Sequence, residues 1–153
     1  MPDHNRQNIP SQSDHFLRLG SMLLAFLGAL DALYLWIYKI SNNDKMCLGS
    51  GDCATVNYSP YSEINGIPVA LLGLFAYLAM LAILLLETTW KPAGKYGTYL
   101  VFGISLAGVL FSAYLTFIEF FVIHAVCPFC IISAVVITFI FIMAIIRLVK
   151  NNY

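Results

Sequence analysis

The stretch "IHAVCPFCIISAVVITFIFIMAIIRLVK", residues 123–150, decides the architecture of this chain. It holds two cysteines, Cys127 and Cys130, and then carries no charged side chain until Arg147. A bilayer core of about 30 Å needs about 20 consecutive apolar residues in a helix. Residues 126–146 meet that need. The stretch therefore predicts a membrane-spanning helix with a pair of thiols at its start.

Three more segments are long and apolar enough to span a bilayer: residues 17–38, which include Asp31, residues 67–86 and residues 99–118. Hydrophobic residues make up 60% of the chain and charged residues 10%, whereas soluble domains are about one quarter charged. Because lipid offers the backbone no hydrogen-bond partners, such spans are expected to be helical. The predicted fold class is an all-α integral membrane protein, a four-transmembrane-helix bundle. The net charge of +0 gives no support to nucleic-acid binding, which uses a basic face.

The polar segments between the spans predict the domain organisation. Residues 1–16 are a polar leader without a small-residue cleavage site, so the first span is interpreted as a true span and not as a signal peptide. Residues 17–150 form the predicted transmembrane catalytic domain, with a long loop at about 39–66, and residues 151–153 form the C-terminal tail. Residues 87–98, "ETTWKPAGKYGT", are expected to form a short turn because they contain Pro and Gly.

The distribution of lysine and arginine predicts the orientation in the membrane. Four spans place the leader, the second connection and the C-terminus on one side, and the long loop and the third connection on the other. The first side holds Arg6, Arg18, Lys91, Lys95, Arg147 and Lys150. The second side holds Lys39 and Lys45. Positive residues favour the cytoplasmic side, so both termini are expected in the cytoplasm. All four cysteines are then expected outside it, where disulfides are permitted.

The sequence "CPFC" predicts a reactive thiol pair. Pro128 suits the first turn of a helix, which makes Cys127 a candidate N-cap and puts Cys130 in the first turn. A helix N-terminus stabilises a thiolate, the reactive form in disulfide exchange. The alternative is a structural zinc site, which would need Cys47 and Cys53 to complete four sulfur ligands.

The second pair, in "CLGSGDC", permits two interpretations. Gly49 and Gly51 make the connection between Cys47 and Cys53 flexible, so the pair is either a structural staple of the loop or the mobile member of a thiol relay. For a relay, the electron acceptor remains to be assigned. The sequence holds no haem-attachment motif and no glycine-rich nucleotide loop, so a membrane quinone in the bundle core is the simplest acceptor.

The order of these features resembles the vitamin K epoxide reductase family, and is most similar to its short prokaryotic members. The resemblance rests on the two cysteine pairs and on "ATVNYSPYSEINGIPVALLGL", which contains Ser59. It implies that Cys47 and Cys53 exchange with a thioredoxin-like protein, that Cys127 accepts electrons from Cys53, and that Cys130 faces a quinone. It also implies that Ser59 lies near the active site.

Two positions depart from the animal members of this family. These members place an Asn and a Tyr near vitamin K where this chain has Ser62 and Ala134. The departure favours ubiquinone or menaquinone over vitamin K as the cofactor, although Ser62 and Ala134 remain candidate quinone contacts. Because the sequence ends at Tyr153 without a thioredoxin-like domain, the expected thiol partner is a separate protein.

The sequence as a whole thus predicts a thiol:quinone oxidoreductase of a bacterial or archaeal cytoplasmic membrane that drives disulfide formation and binds no nucleic acid or metal. The alternatives are a vitamin K epoxide or quinone reductase of the same fold, and a zinc-holding or disulfide-stapled membrane module without redox turnover. The unrelated disulfide bond protein B family does similar chemistry, but its helix-start cysteine pair comes early in the chain. The roles of two polar residues stay open. Asp31 either relays protons or bonds a neighbouring helix. His124 either tunes the thiolate of Cys127 or is a solvated loop residue.

Overall fold

The computed structural model describes residues 12–42, 52–90 and 93–152 of the chain. Within these ranges, four helices are long and apolar enough to cross a membrane. The chain order of the helices is α1 (Gln12–Ser41), α2 (Asp52–Asn57), α3 (Val69–Thr89), α4 (Ala93–Ile118) and α5 (Pro128–Asn152), of which α2 alone is short. This confirms the predicted fold class of an all-α membrane bundle.

The four long helices form a closed ring in cross-section. Helix α1 packs mainly against α3 and α5, and α4 packs mainly against the same two helices. Small residues of α1 let its neighbours approach closely, and larger apolar side chains of the other helices fill the centre. The central residues include Ala25, Ala29, Ala32, Met80, Leu84 and Ile140. Large apolar residues also cover the outside of the bundle, as expected of a surface that faces lipid.

The helices are longer than the sequence patterns indicate, most clearly at the second connection. The predicted turn at 87–98 is wrong in extent, because α3 continues to Thr89 and α4 begins at Ala93. The physical reason lies in the pairing of Glu87, which bonds Arg147 of α5 at 2.7 Å (Oε2 to Nη2). Both residues are buried, so this ion pair fastens the last turn of α3 to the last turns of α5.

At the opposite end of the bundle, the chain between α2 and α3 forms a small cap. A 3-10 turn, Pro60–Ser62, leads into two short antiparallel strands, β1 (Glu63–Ile64) and β2 (Ile67–Pro68). Asn65 and Gly66 connect the strands, and both have positive φ angles, 53° and 81°. An Asn-Gly pair favours this tight hairpin turn. The cap defined by residues 58–68 thereby returns the chain directly into α3.

A π-helical turn, Glu119–Ile123, ends α4 at the same end of the bundle. It closes at His124, whose φ of 54° is left-handed and whose N–H bonds the carbonyl of Glu119. The N–H of Ala125 bonds that carbonyl as well, at 3.2 Å. A π-turn widens the helix by one residue and shifts the direction of its side chains. Here Glu119 is buried and lies beside the start of α5.

Candidate active site

Two sulfur atoms meet under the cap. Cys53 Sγ, from α2, lies 3.9 Å from Cys127 Sγ, which directly precedes α5. Cys53 is disulfide-bonded, whereas Cys127 is a free thiol. Both residues are almost completely buried, in a cluster with Leu35, Tyr38 and Val56. A free thiol in contact with a disulfide sulfur is the arrangement from which thiol–disulfide exchange starts.

The start of α5 explains how Cys127 is held and activated. The carbonyl of Cys127 accepts the N–H of Ile131 at 3.2 Å, the first hydrogen bond of the helix, and Pro128 is the first helical residue. This confirms the prediction that Cys127 is the N-cap. A hydrogen bond from the Cys130 side chain, helped by the N–H groups of Cys130 and Phe129, lowers the pKa of the Cys127 thiol, although burial opposes the shift. The geometry therefore favours a Cys127 thiolate.

Cys130, the second free thiol, faces a cavity of about 440 Å³ between the four long helices and the cap. The cavity wall is predominantly apolar, with Leu72, Ile104 and Phe111 among its residues. Pockets of this size with apolar walls and a few polar groups suit small organic molecules. The cavity thus places a space for an apolar ligand directly beside a thiol.

Of the predicted quinone contacts, two serines line the cavity and the alanine does not. Ser59 and Ser62 lie on the cavity side of the cap. The Ser59 hydroxyl donates to the carbonyl of Val56 at 2.7 Å, and the Ser62 hydroxyl donates to the carbonyl of Ser59 at 2.8 Å. Ala134 instead lines a second, separate groove between α4 and α5. Binding of a quinone by these residues stays a prediction.

The cap is fastened to α1 by one lysine. Lys39 Nζ donates to Ser62 Oγ at 2.8 Å and lies 2.9 Å from Glu63 Oε1. Just before the cap, the buried side chain of Asn57, the last residue of α2, donates to the carbonyl of Leu35 at 3.4 Å. These bonds hold the cap and its serines over the cavity.

Polar groups also line the deeper part of the cavity. Asp31 is one of them, and its Oδ2 atom is buried without a hydrogen-bond partner among the described residues. Tyr77 lies in the same wall and bonds Ser133 of α5 through the carbonyl at 3.0 Å and the hydroxyl at 2.9 Å. Asp31 therefore faces the cavity, which is consistent with the proton-relay interpretation, whereas bonding to a neighbouring helix is not observed for Oδ2.

Several predicted residues lie elsewhere or outside the described ranges. Cys47 lies outside them, so its predicted exchange role is untested. His124 is exposed and does not line the cavity. Among the described residues, no group of three or more His, Cys, Asp or Glu side chains is placed to hold a metal ion. The four-sulfur zinc alternative depends on Cys47 and stays untested.

The sequence patterns do not indicate the parts of the site that depend on how the helices pack and how the chain turns between them. They give Asn57, Tyr77 and Glu119 no role, although all three line the cavity. The Asn65–Gly66 pair was the one local signal that could have predicted the hairpin of the cap. A π-turn has no comparable sequence signal, so the inward direction of Glu119 was not predictable.

Comparison with known proteins identifies the family. The profile of the vitamin K epoxide reductase family matches residues 20–145. A relative, the thiol-disulfide oxidoreductase LTO1 of Arabidopsis thaliana, is 31% identical over 111 residues, which cover 69% of this chain and 30% of LTO1. The chain thus corresponds to less than a third of that relative's length. Because the profile match extends over most of the chain and includes Cys53, Cys127 and Cys130, the chain belongs to the vitamin K epoxide reductase family.

Proposed function

We propose that this membrane protein is a thiol-disulfide oxidoreductase that passes electrons from a thioredoxin-like protein to a membrane quinone. The observation that carries the proposal is the 3.9 Å contact between the free thiol of Cys127 and the disulfide-bonded sulfur of Cys53. Membership of the family and the similarity to a thiol-disulfide oxidoreductase support the same class of chemistry.

The proposed path starts at the loop pair. The two thiols of the partner reduce a disulfide between Cys47 and Cys53, and the partner leaves as a disulfide. Cys53 then attacks Cys127 of an oxidised Cys127–Cys130 pair, and Cys130 leaves as a thiol. Cys47 resolves the mixed disulfide by attacking Cys53, which leaves Cys127 and Cys130 reduced. A low thiol pKa stabilises the reduced state of a pair and makes its disulfide the better oxidant. The lowered pKa of Cys127 therefore favours electron flow toward α5.

The cavity suits a quinone as the electron acceptor. Its apolar wall fits a hydrocarbon ring, and it has polar groups at both the Cys130 side and the Asp31 side for the two ring oxygens. A quinone takes up two electrons and two protons to become a quinol. Ser59 and Ser62 are the proposed contacts in the cap. We include ubiquinone, menaquinone and vitamin K among the candidates, since the cavity wall does not distinguish their rings.

We further propose that the cysteine end of the bundle faces away from the cytosol. Lysine and arginine are concentrated on the segments at the other end of the four spans, in agreement with the positive-inside rule. The thiol partner would then be an extracytoplasmic thioredoxin-like protein. Cysteine labelling with a membrane-impermeant reagent in intact cells tests this orientation, and labelling of the reduced loop pair only after lysis would contradict it.

A reconstituted assay tests the function. The purified chain is mixed with a reduced thioredoxin-like protein and either ubiquinone or menaquinone, and the quinone absorbance is followed. We expect quinone loss with the wild-type chain and none with Cys130→Ala. The same variant should still exchange with the reduced partner, because Cys53 is unchanged. Quinone reduction at the wild-type rate by Cys130→Ala would refute the assigned path.

A further inference from the structure

A carboxyl group is held beside the two α5 cysteines. Glu119 has 3% of its surface exposed, and the π-turn that carries it directs its side chain into the cavity wall next to Cys130. Burial of a carboxylate is costly unless its oxygens are bonded. One oxygen, Oε2, has no hydrogen-bond partner among the described residues. A buried acid with a spare oxygen at a ligand cavity is a candidate for proton transfer.

The bonds that Glu119 does make lead to the reacting pair. The Glu119 carboxyl and Cys130 share the cavity wall, and the carboxyl interacts with the Cys130 thiol and with the backbone N–H of Cys127. These contacts place the carboxylate against the start of α5, with the Cys130 proton beside it. A candidate base must lie within hydrogen-bond reach of the proton that it takes. Glu119 meets this requirement for Cys130.

The other titratable groups around the cavity are differently placed. Asp31 of α1, Tyr61 of the cap and Tyr77 of α3 line the wall, and Tyr77 is bonded to Ser133. Lys39 of α1 and Glu63 of the cap do not line the wall and pair with each other. Among the described residues, Glu119 is therefore the carboxyl that contacts a reactive thiol.

We propose that Glu119 is a catalytic residue that takes the proton of the Cys130 thiol and delivers it to the quinone, an inference that rests on the proposed function. Oxidation of Cys127 and Cys130 to a disulfide releases two electrons, and both reduce the quinone to a quinol. One proton of the quinol comes from Cys130 through Glu119. The other is the proton that Cys127 gave to water on ionising, and water returns it. Glu119 ends the cycle as it began.

The test compares Glu119→Gln, which keeps the size of the side chain, with Glu119→Asp, which keeps its acid. General acid–base catalysis contributes about 10²–10⁴-fold. We expect Glu119→Gln to slow quinone reduction at least about 100-fold at neutral pH. The loss should shrink as the pH rises, because hydroxide then ionises Cys130 directly. Glu119→Asp should restore part of the rate, and Asp14→Asn, an acid-to-amide change at the far end of the bundle, should leave it unchanged.

Two further readouts separate catalysis from structure. Exchange between the partner and the loop pair should stay within a few-fold of wild type in Glu119→Gln. Infrared spectra of the reduced chain should show a shifted S–H stretching band for Cys130 in Glu119→Gln, without any quinone present. An unchanged S–H band, or a rate within about three-fold of wild type at all pH values, would overturn the role of Glu119. If the wild-type chain reduced no quinone while the S–H band still differed between wild type and Glu119→Gln, the proposed function would be refuted instead, and with it the delivery of the proton to a quinone.

Discussion

The hydroxyl of Tyr77 lies 2.9 Å from the hydroxyl of Ser133 and ties α3 to α5 at the depth of the cavity. Tyr77 is buried, with 3% of its surface exposed, and its ring lies against the backbone of Gly28 in α1. The Tyr77 side chain of α3 therefore contacts both α5 and α1, and it is also part of the cavity wall.

The first prediction concerns Gly28. A Cβ atom at this position would collide with three atoms of the Tyr77 ring. Gly28→Ala should therefore displace Tyr77 from Ser133, at a cost of about 1–3 kcal/mol typical of overpacking, and raise the KM for quinone. Thermal unfolding in detergent and steady-state kinetics measure the two effects.

Gly103 of α4 provides the matched control. A Cβ atom there meets nothing within 4 Å, and alanine is the better helix former by about 1 kcal/mol. Gly103→Ala should be neutral or slightly stabilising. Equal unfolding temperatures and equal KM values for Gly28→Ala and Gly103→Ala would show that the Tyr77 contact does not limit substitution at Gly28.

The second prediction concerns the buried ion pair between Glu87 and Arg147. Removing one partner leaves an unpaired buried charge, which costs about 3–5 kcal/mol, so Arg147→Met should lower the free energy of unfolding by that order. Replacing both residues, as in Glu87→Leu with Arg147→Met, should restore most of the stability because no lone charge remains. Unfolding of the purified protein by denaturant checks both values.

Lys150 serves as the control for the ion pair. It lies 3.6 Å from Asp14 in a more exposed position, where ion pairs contribute at most about 1 kcal/mol. Lys150→Met should therefore change the stability little. A double variant of Glu87 and Arg147 that is less stable than Arg147→Met would contradict the desolvation argument.

The third prediction concerns the pH dependence of Cys127. The hydrogen bond from Cys130 lowers the pKa of the Cys127 thiol, so Cys127 should stay reactive at a lower pH than an ordinary thiol, whose pKa is about 8.5. Cys130→Ala removes that bond and should move the inflection of Cys127 reactivity to higher pH. Cys130→Ser keeps a donor and should give an intermediate inflection. Mass spectrometry of Cys127 labelled by a small methanethiosulfonate over a pH series measures this, and identical inflections in all three chains would disprove the stated cause.

The fourth prediction concerns the attachment of the cap. Lys39→Met removes the bonds to Ser62 and Glu63, and a hydrogen bond contributes about 0.5–1.5 kcal/mol. We expect the KM for quinone to rise by up to about ten-fold with little change in kcat, because the cap covers the cavity but Cys130 is unmoved. Glu63→Gln, which removes the charge and keeps the hydrogen-bonding group, should have a smaller effect. A fall in kcat at constant KM would argue against a role for the cap in binding.

The sequence predicted the parts of the fold that follow from composition and spacing. Apolar runs of about 20 residues predicted the helices, and Pro128 predicted the helix start at Cys127. The contact of Cys53 with Cys127 required α2 and the start of α5 to pack together, and the resemblance to a known family pointed to it. Helix ends were less predictable, since the buried pairing of Glu87 with Arg147 extends α3 through residues that read as a turn.

The remaining parts of the site depend on tertiary structure. The cavity arises from how four helices pack, and no single segment contains its pattern. Glu119 lies at the end of an apolar run, where a sequence gives no sign of whether an acid faces solvent or interior. Asp31 was recognisable as unusual in a span, but its position in the cavity wall depends on the rotation of α1.

The burial of Cys53 and Cys127, with 1% and 0% of their surfaces exposed, has a consequence for how the protein behaves in a cell. Small thiols dissolved in the surroundings therefore reach either sulfur more slowly than they reach an exposed thiol. In the proposed path, this burial favours delivery of electrons by a docked protein over nonspecific reduction by small reductants in the medium.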